Sequence, residues 1–312
     1  MKLNHPHLSH TALIWTIVIA LTLIWGSSFI MLKRALEVFS PLQVFSARMG
    51  LSALVLLPFA VRDIVKIPRE KWPSLILFAV LTNIFTTLFY AIAQSSIESS
   101  LNGMLNTLTP LMTLLAGAVL YRQPIRSLQG VALILGLLGS ALLILFDSNW
   151  QIGMINSFAI FAILATLCNG LTANILKFSL QGLTVMEISS VAFLIVLPVS
   201  LSFGIGTDLV PTLLSEENAM SAFGYIVVLA IFANVIGILL LSRLIQLSSP
   251  VFASLITYLM PLVALFWGML DLEVISLGEI AAMTLILSCV WLINRNREEK
   301  PRAEQAERQK IS

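Results

Sequence analysis

ALIWTIVIALTLIWGSSFIMLK, residues 12–33, is an apolar run broken by no charge until its closing lysine. A helix rising ~1.5 Å per residue crosses ~30 Å of hydrocarbon in a run of this length, whereas a membrane β-strand would alternate apolar and polar over ~10 residues. The run therefore reads as a spanning helix. Its flank Met1 to His10 holds one lysine, and the run exceeds the ~7–15 apolar residues of a signal-peptide core, so it is kept as a span. Nine more such runs follow, near 41–61, 73–94, 98–120, 127–146, 153–176, 184–204, 219–241, 248–270 and 277–294. The expected fold is an all-α polytopic membrane protein with ten transmembrane helices. Composition agrees: 58% of the 312 residues are apolar and 11% are charged, against ~25% charge in soluble domains. Cys168 and Cys289 both sit in apolar runs, which leaves no disulfide framework and no zinc spacing.

Lysine and arginine fix the expected direction, because short basic loops stay in the cytoplasm. With the N-terminus inside, fifteen of the eighteen Lys and Arg residues are cytoplasmic, Lys33 and Arg34 are outside, and Arg48 lies within a span. Both termini are thus expected inside: an N-terminal tail over 1–11, and a polar basic tail over 295–312 that meets lipid headgroups. A net charge of +2 spread in this way points to no nucleic-acid partner.

The second half repeats the first. Trp25, Gly26 and the stretch to Lys33 align with Asn169, Gly170 and the stretch to Lys177, and Leu57-Pro58 answers to Leu197-Pro198. An offset of 151 pairs Asn83 with Asn234, Pro110 with Pro261 and Gly117 with Gly268. Five spans in each of 12–146 and 153–294 make the second copy enter from the opposite side. That is an inverted repeat, the architecture of alternating-access carriers.

Ile24-Trp25-Gly26-Ser27-Ser28-Phe29 with Lys33, then Pro41 with Arg48, resembles the opening of the ten-helix EamA-type exporters of the drug/metabolite transporter superfamily. Leu108-Thr109-Pro110-Leu111 and Leu259-Met260-Pro261-Leu262 resemble that family's leucine-rich stretch ending in a mid-helix proline, and Glu273 sits where it has a glutamate. In the first copy the same offset falls on Arg122, and Asn169 stands in place of the tryptophan. The resemblance covers about residues 12–294 and implies efflux of small metabolites, commonly amino acids or related compounds, across the bacterial inner membrane.

Polar groups in hydrocarbon face a cavity or a neighbouring helix. Asn83, Thr87, Tyr90 and Gln94 share one stripe of the third span; Asn102 and Asn106 lie a turn apart on the fourth, beside Pro110. The second half adds Asn169, Thr172, Asn174, Asn234, Thr257 and Tyr258, and Trp25 either stacks on a solute or fills space. These are the candidate substrate contacts, against the alternative that they tie helices together. Arg48, about 10 Å into its span, either holds a substrate carboxylate or forms a structural pair with Glu98. Pro58, Pro110, Pro198 and Pro261 are candidate hinges. Ala132, Gly136 and Ser140 form a small-residue face that joins the two halves or two copies, for a monomer or a homodimer.

Without a mid-depth carboxylate, neutral or zwitterionic solutes fit better than permanent cations; Glu98 and Glu187 are the candidates for proton coupling. No phosphate-cradling loop supports an ATP-driven pump, and the three histidines all lie in the N-terminal tail, which disfavours an intramembrane enzyme. No cofactor or metal is expected. A secondary exporter is the reading, with a channel-like facilitator as the alternative.

Overall fold

The computed structural model describes residues 10–125, 127–145, 157–248 and 255–288. The expected tail 295–312, all but the end of the tail 1–11, and Cys289 lie outside these residues. The described residues form helices α1 His10–Leu36, α2 Pro41–Asp63, α3 Arg69–Gln94, α4 Ser99–Tyr121, α5 Ser127–Leu145, α6 Ala159–Phe178, α7 Val185–Gly206, α8 Ala219–Leu247, α9 Leu255–Leu270 and α10 Leu277–Ser288. Seven are long and apolar enough to cross a membrane; α5, α9 and α10 are apolar over the shorter stretches Gln129–Gly139, Ile256–Leu270 and Leu277–Ser288. A short helix, Leu209–Ser215, occupies the α7–α8 connection.

Polarity is inverted relative to a water-soluble protein. Ser52, Asp63, Asn102, Thr166, Ser190 and Ser200 are fully buried, while Ile19, Leu54, Val61, Val119 and Ile205 face outward. An apolar exterior around a hydrogen-bonded interior is what lipid demands of a helical bundle.

Local signals recur at equivalent places. Ser40 and Gln43 start α2 with a capping box, each side chain taking the other's backbone N–H, and Thr184 and Glu187 start α7 in the same way. Packing recurs too: α1 lies along α9, α6 lies along α4, and α2 lies along α7. The close approaches use the glycines that align in sequence. A Cβ on Gly26 would come within 2.5 Å of Val263, and one on Gly170 within 2.6 Å of the Met112 backbone. Val263 and Met112 stand at the same offset of 151 as the two prolines.

Both third-position helices carry a wide π-helical segment, Val80–Thr86 in α3 and Leu229–Ile236 in α8. A π turn leaves carbonyls without their i+4 donor, and side chains supply the missing bonds. Thr86 Oγ1 donates to Leu81 O at 2.9 Å and Trp25 Nε1 to Ala233 O at 2.9 Å, while Ser52 Oγ lies 3.3 Å from Ala230 O. Asn83 and Asn234 sit inside these two segments.

Pro58, Pro198 and Pro261 lie within helices; Pro110 instead opens the Thr109–Tyr121 segment of α4, after a 3-10 turn over Asn106–Leu108. On α5, Gly136 packs against Leu111 and the neighbouring Gly139 against Ile286, while the side chains of Ala132 and Ser140 lie outside the described ones.

Gly170→Ala drives a methyl group into the α4 backbone and is expected to cost about 1–3 kcal/mol, a lowered melting temperature in detergent. Gly224→Ala, with nothing within 4 Å, is expected to change little, and equal losses in both variants would contradict the close approach.

Candidate functional site

A cavity of about 430 Å³ runs through the middle of the bundle. Its walls come from α1 (Trp25, Phe29), α2 (Arg48), both π-helical segments (Asn83, Asn234), α4 (Asn106), α6 (Asn169) and α7 (Ser189). Its lining extends from Leu32, next to Lys33, to Leu176, next to Lys177, and to Val185, the first residue of α7.

Of the sequence-expected contacts, Trp25, Asn83, Thr87, Tyr90, Asn106, Asn169, Asn234 and Thr257 line this cavity. Tyr90 OH donates to Asn106 Oδ1 at 2.6 Å, and Asn169 Nδ2 lies 3.4 Å from the same hydroxyl, so α3, α4 and α6 meet in one polar cluster. Thr82 and Thr86 also line the cavity, and the stripe argument missed both. The π turn widens the face that α3 presents beyond what a period of ~3.6 residues predicts.

Five expected contacts, Gln94, Asn102, Thr172, Asn174 and Tyr258, lie outside the lining; Thr172 Oγ1 donates to Asn169 O at 3.0 Å, and Asn174 Nδ2 lies 2.9 Å from both Thr113 O and Gly170 O. Asn102 Nδ2 donates to Gln94 Oε1 at 2.7 Å and Gln94 Nε2 to Phe29 O at 2.8 Å, a staple joining α1, α3 and α4. Gln94 is one turn past Tyr90, beyond the point at which α4 closes over α3. Tyr258 packs against the apolar cluster around Leu105 and Leu108.

The expected Arg48–Glu98 pair is not formed. Arg48 Nη2 donates to Asn234 Oδ1 at 2.9 Å, Asn234 Nδ2 donates to Ser52 Oγ at 2.9 Å, and Ser52 Oγ donates back to Arg48 O at 2.7 Å. Arg48 Nε is buried and without a partner, as are two other donors on the cavity wall, Asn83 Nδ2 and Thr82 Oγ1. Among the described residues no carboxylate pairs with Arg48, and none lines the cavity.

Glu98 instead belongs to an ionic cluster at the opposite end. Lys33 Nζ lies 2.9 Å from Glu98, 2.8 Å from Asp271 and 2.7 Å from Glu273, and Arg34 also pairs with Asp271. Glu273 is buried and caps the start of α4, accepting from Ser99 N at 3.0 Å, Ser99 Oγ at 2.6 Å and Ser100 N at 2.9 Å. A helix start holds unpaired N–H groups and positive potential, which a carboxylate satisfies. This one arrives from the far side of the α9–α10 connection. Glu187, the other candidate for proton coupling, caps α7 and pairs with Lys66 at 3.2 Å.

The first-copy counterpart of Glu273 is Gln123 and not Arg122. Arg122 and Leu272 both take left-handed φ, and the next residue in each case donates its N–H to the aligned glycine, Gln123 to Gly117 O and Glu273 to Gly268 O. The loop register slips by one residue there, which a fixed offset cannot see. Gln123 Nε2 donates to Asn174 Oδ1 at 3.2 Å, and Lys177, the counterpart of Lys33, lies over the Phe178 ring.

A mostly apolar cavity set with amides and one arginine, enclosed by helices from both halves of a membrane-type bundle, fits a membrane transporter. A model of the EamA-like transporter family matches residues 12–145 and again 156–295, and the chain belongs to that family. A protein of Chlamydia muridarum named as an S-adenosylmethionine/S-adenosylhomocysteine transporter is 27% identical over 256 residues, covering 79% of this chain and 80% of its own. A Chlamydia trachomatis serovar L2 protein of the same name is 26% identical over 259 residues, 79% of this chain and 78% of its own. A crystal structure of another protein, 16% identical, matches 91% of this chain and 98% of its own with a TM-score of 0.56, a likeness of fold. The chain is a multi-pass membrane transporter and not an enzyme.

Burial works to raise the pKa of Glu273, but hydrogen bonds from Lys33, Ser100 and Ser99 outweigh it and lower it from 4.5 to about 2. Its stabilising contribution is therefore full above about pH 4.5 and lost as pH falls towards 2. The wild type should melt above Glu273→Gln at neutral pH, with the gap closing over that interval; a gap that is constant with pH would contradict the cap.

Proposed function

We propose that the chain is a secondary carrier of the bacterial inner membrane that exports a small neutral or zwitterionic metabolite by alternating access. In this reading ten spans form two inverted five-helix halves, 12–146 and 153–294, with both termini cytoplasmic. The supporting observation is the cavity between the halves, lined by Asn83 and Asn234 from equivalent π-helical segments. Packing that recurs with exchanged partners, α1 on α9 and α6 on α4, supports the inversion. The basic-loop bias puts the Lys33 end outside. On that orientation the Lys33 cluster closes the outer face.

Trp25, Asn83, Thr87, Tyr90, Asn106, Asn169 and Asn234 are the proposed substrate contacts, while Gln94, Asn102 and Tyr258 hold helices in place. A volume of about 430 Å³ suits a solute of metabolite size. Rings from Trp25, Phe29, Phe78, Tyr90 and Phe193, with amides between them, suit a flat heterocycle joined to a polar group. The relatives' names favour an amino acid joined to a nucleoside, as in S-adenosylhomocysteine. Pro58, Pro110, Pro198 and Pro261 are the proposed bending points.

Counterflow in proteoliposomes tests the carrier. Vesicles preloaded with S-adenosylhomocysteine, or in turn with amino-acid mixtures, are expected to accumulate the labelled counterpart transiently and saturably. A folded Tyr90→Ala/Asn106→Ala variant should weaken half-saturation about tenfold or more, the equivalent of ~1.4 kcal/mol. Flux that rises linearly with concentration, with no counterflow, would replace the carrier with a channel.

A further inference from the structure

We propose that Arg48 is the docking point for a substrate carboxylate, and that a carboxylate is what the cavity requires of its solute. The inference deepens the carrier reading and rests on it. Arg48 lines the cavity at a depth where an uncompensated cation is costly, and no carboxylate of the described residues pairs with it. Its one side-chain partner is neutral, the Asn234 amide oxygen at 2.9 Å. That bond, continued through Ser52 to the carbonyl of Arg48 itself, fixes one edge of the guanidinium and leaves Nε buried without an acceptor. A guanidinium with one neutral acceptor on Nη2 and none on the neighbouring Nε has donor capacity left for a carboxylate.

The same wall holds two further unsatisfied donors, Asn83 Nδ2 and Thr82 Oγ1. These two neutral donors bond to any oxygen, and Arg48, with no acidic residue of the described chain lining the cavity, is the donor that favours an anionic one. The adjoining Tyr90 hydroxyl and the Asn106 and Asn169 amides offer acceptors as well as donors. A solute with a carboxylate at one end and an ammonium or neutral polar group at the other satisfies both regions, which is the pattern of an amino acid or its conjugate.

The test pairs each acid with its amide: L-amino acids against their carboxamides, and S-adenosylhomocysteine against its carboxamide, titrated into purified wild-type protein and read by thermal shift and calorimetry. At least one acid is expected to bind about thirty-fold or more tightly than its amide, the magnitude of a buried charge partner lost. Arg48→Gln should abolish that preference. Asn234→Asp keeps Arg48 and places a carboxylate at its partner position, so it should raise thermal stability and weaken acid binding in the same proportion. Acids and amides bound alike by the wild type, no acid bound at all, or acid binding intact in both Arg48→Gln and Asn234→Asp would each overturn the proposal. Acid binding without counterflow would leave the docking point standing and remove the carrier, whereas counterflow of carboxyl-free solutes insensitive to Arg48→Gln would do the reverse.

Discussion

Hydrocarbon supplies no hydrogen bonds, so every polar group in the spanning region must find its partner within the chain. Most of this structure follows from that constraint. The first turn of α4 takes the Glu273 carboxylate as its cap, and a carbonyl loosened by the π-helical segment of α8 takes Trp25. The exceptions are then informative. Five buried side-chain atoms have no partner among the described residues, and three of them, on Arg48, Thr82 and Asn83, border the central cavity. The other two, Thr22 Oγ1 and Asn102 Oδ1, belong to residues outside the cavity lining.

Much of the fold was legible because membrane helices are specified by composition over long windows. The run 12–33 already contains the length, the absence of charge and the terminal Lys33 that define α1. The alignment of Gly26 with Gly170 and of Asn83 with Asn234 was also visible, and the structure gives it physical content: two close helix approaches and two π-helical segments. What a linear pattern cannot hold is which side chains meet. Glu98 pairs with Lys33 rather than Arg48, and Gln94 turns to Asn102, because these partnerships depend on how α3 and α4 cross. Thr82 and Thr86 reach the cavity only because the π turn alters the helical phase, and no propensity marks that turn in advance.

The two ends of the bundle are built from equivalent positions with different chemistry. At one, Lys33 is gripped by Asp271, Glu98 and Glu273, tying α1, α4 and the α9–α10 connection together. At the other, the place of Glu273 is held by the neutral Gln123, bonded to Asn174. That end carries an ionic cluster of its own, Arg62 and Lys66 on the buried Asp63, with Lys66 also reaching Glu187.

The central claim is that one cavity is exposed by turns at two faces. Pulsed electron–electron distance measurements in a cysteine-free background test it directly, with one spin-label pair at Ser96 and Glu217 on the Lys33 end and another at Glu70 and Gln181 on the opposite end, all four positions being exposed. Introducing Glu273→Gln weakens the Lys33 cluster, and the account predicts reciprocal movement: the first pair lengthens while the second shortens. Distances that stay fixed at both ends, or that lengthen together, would contradict alternating access.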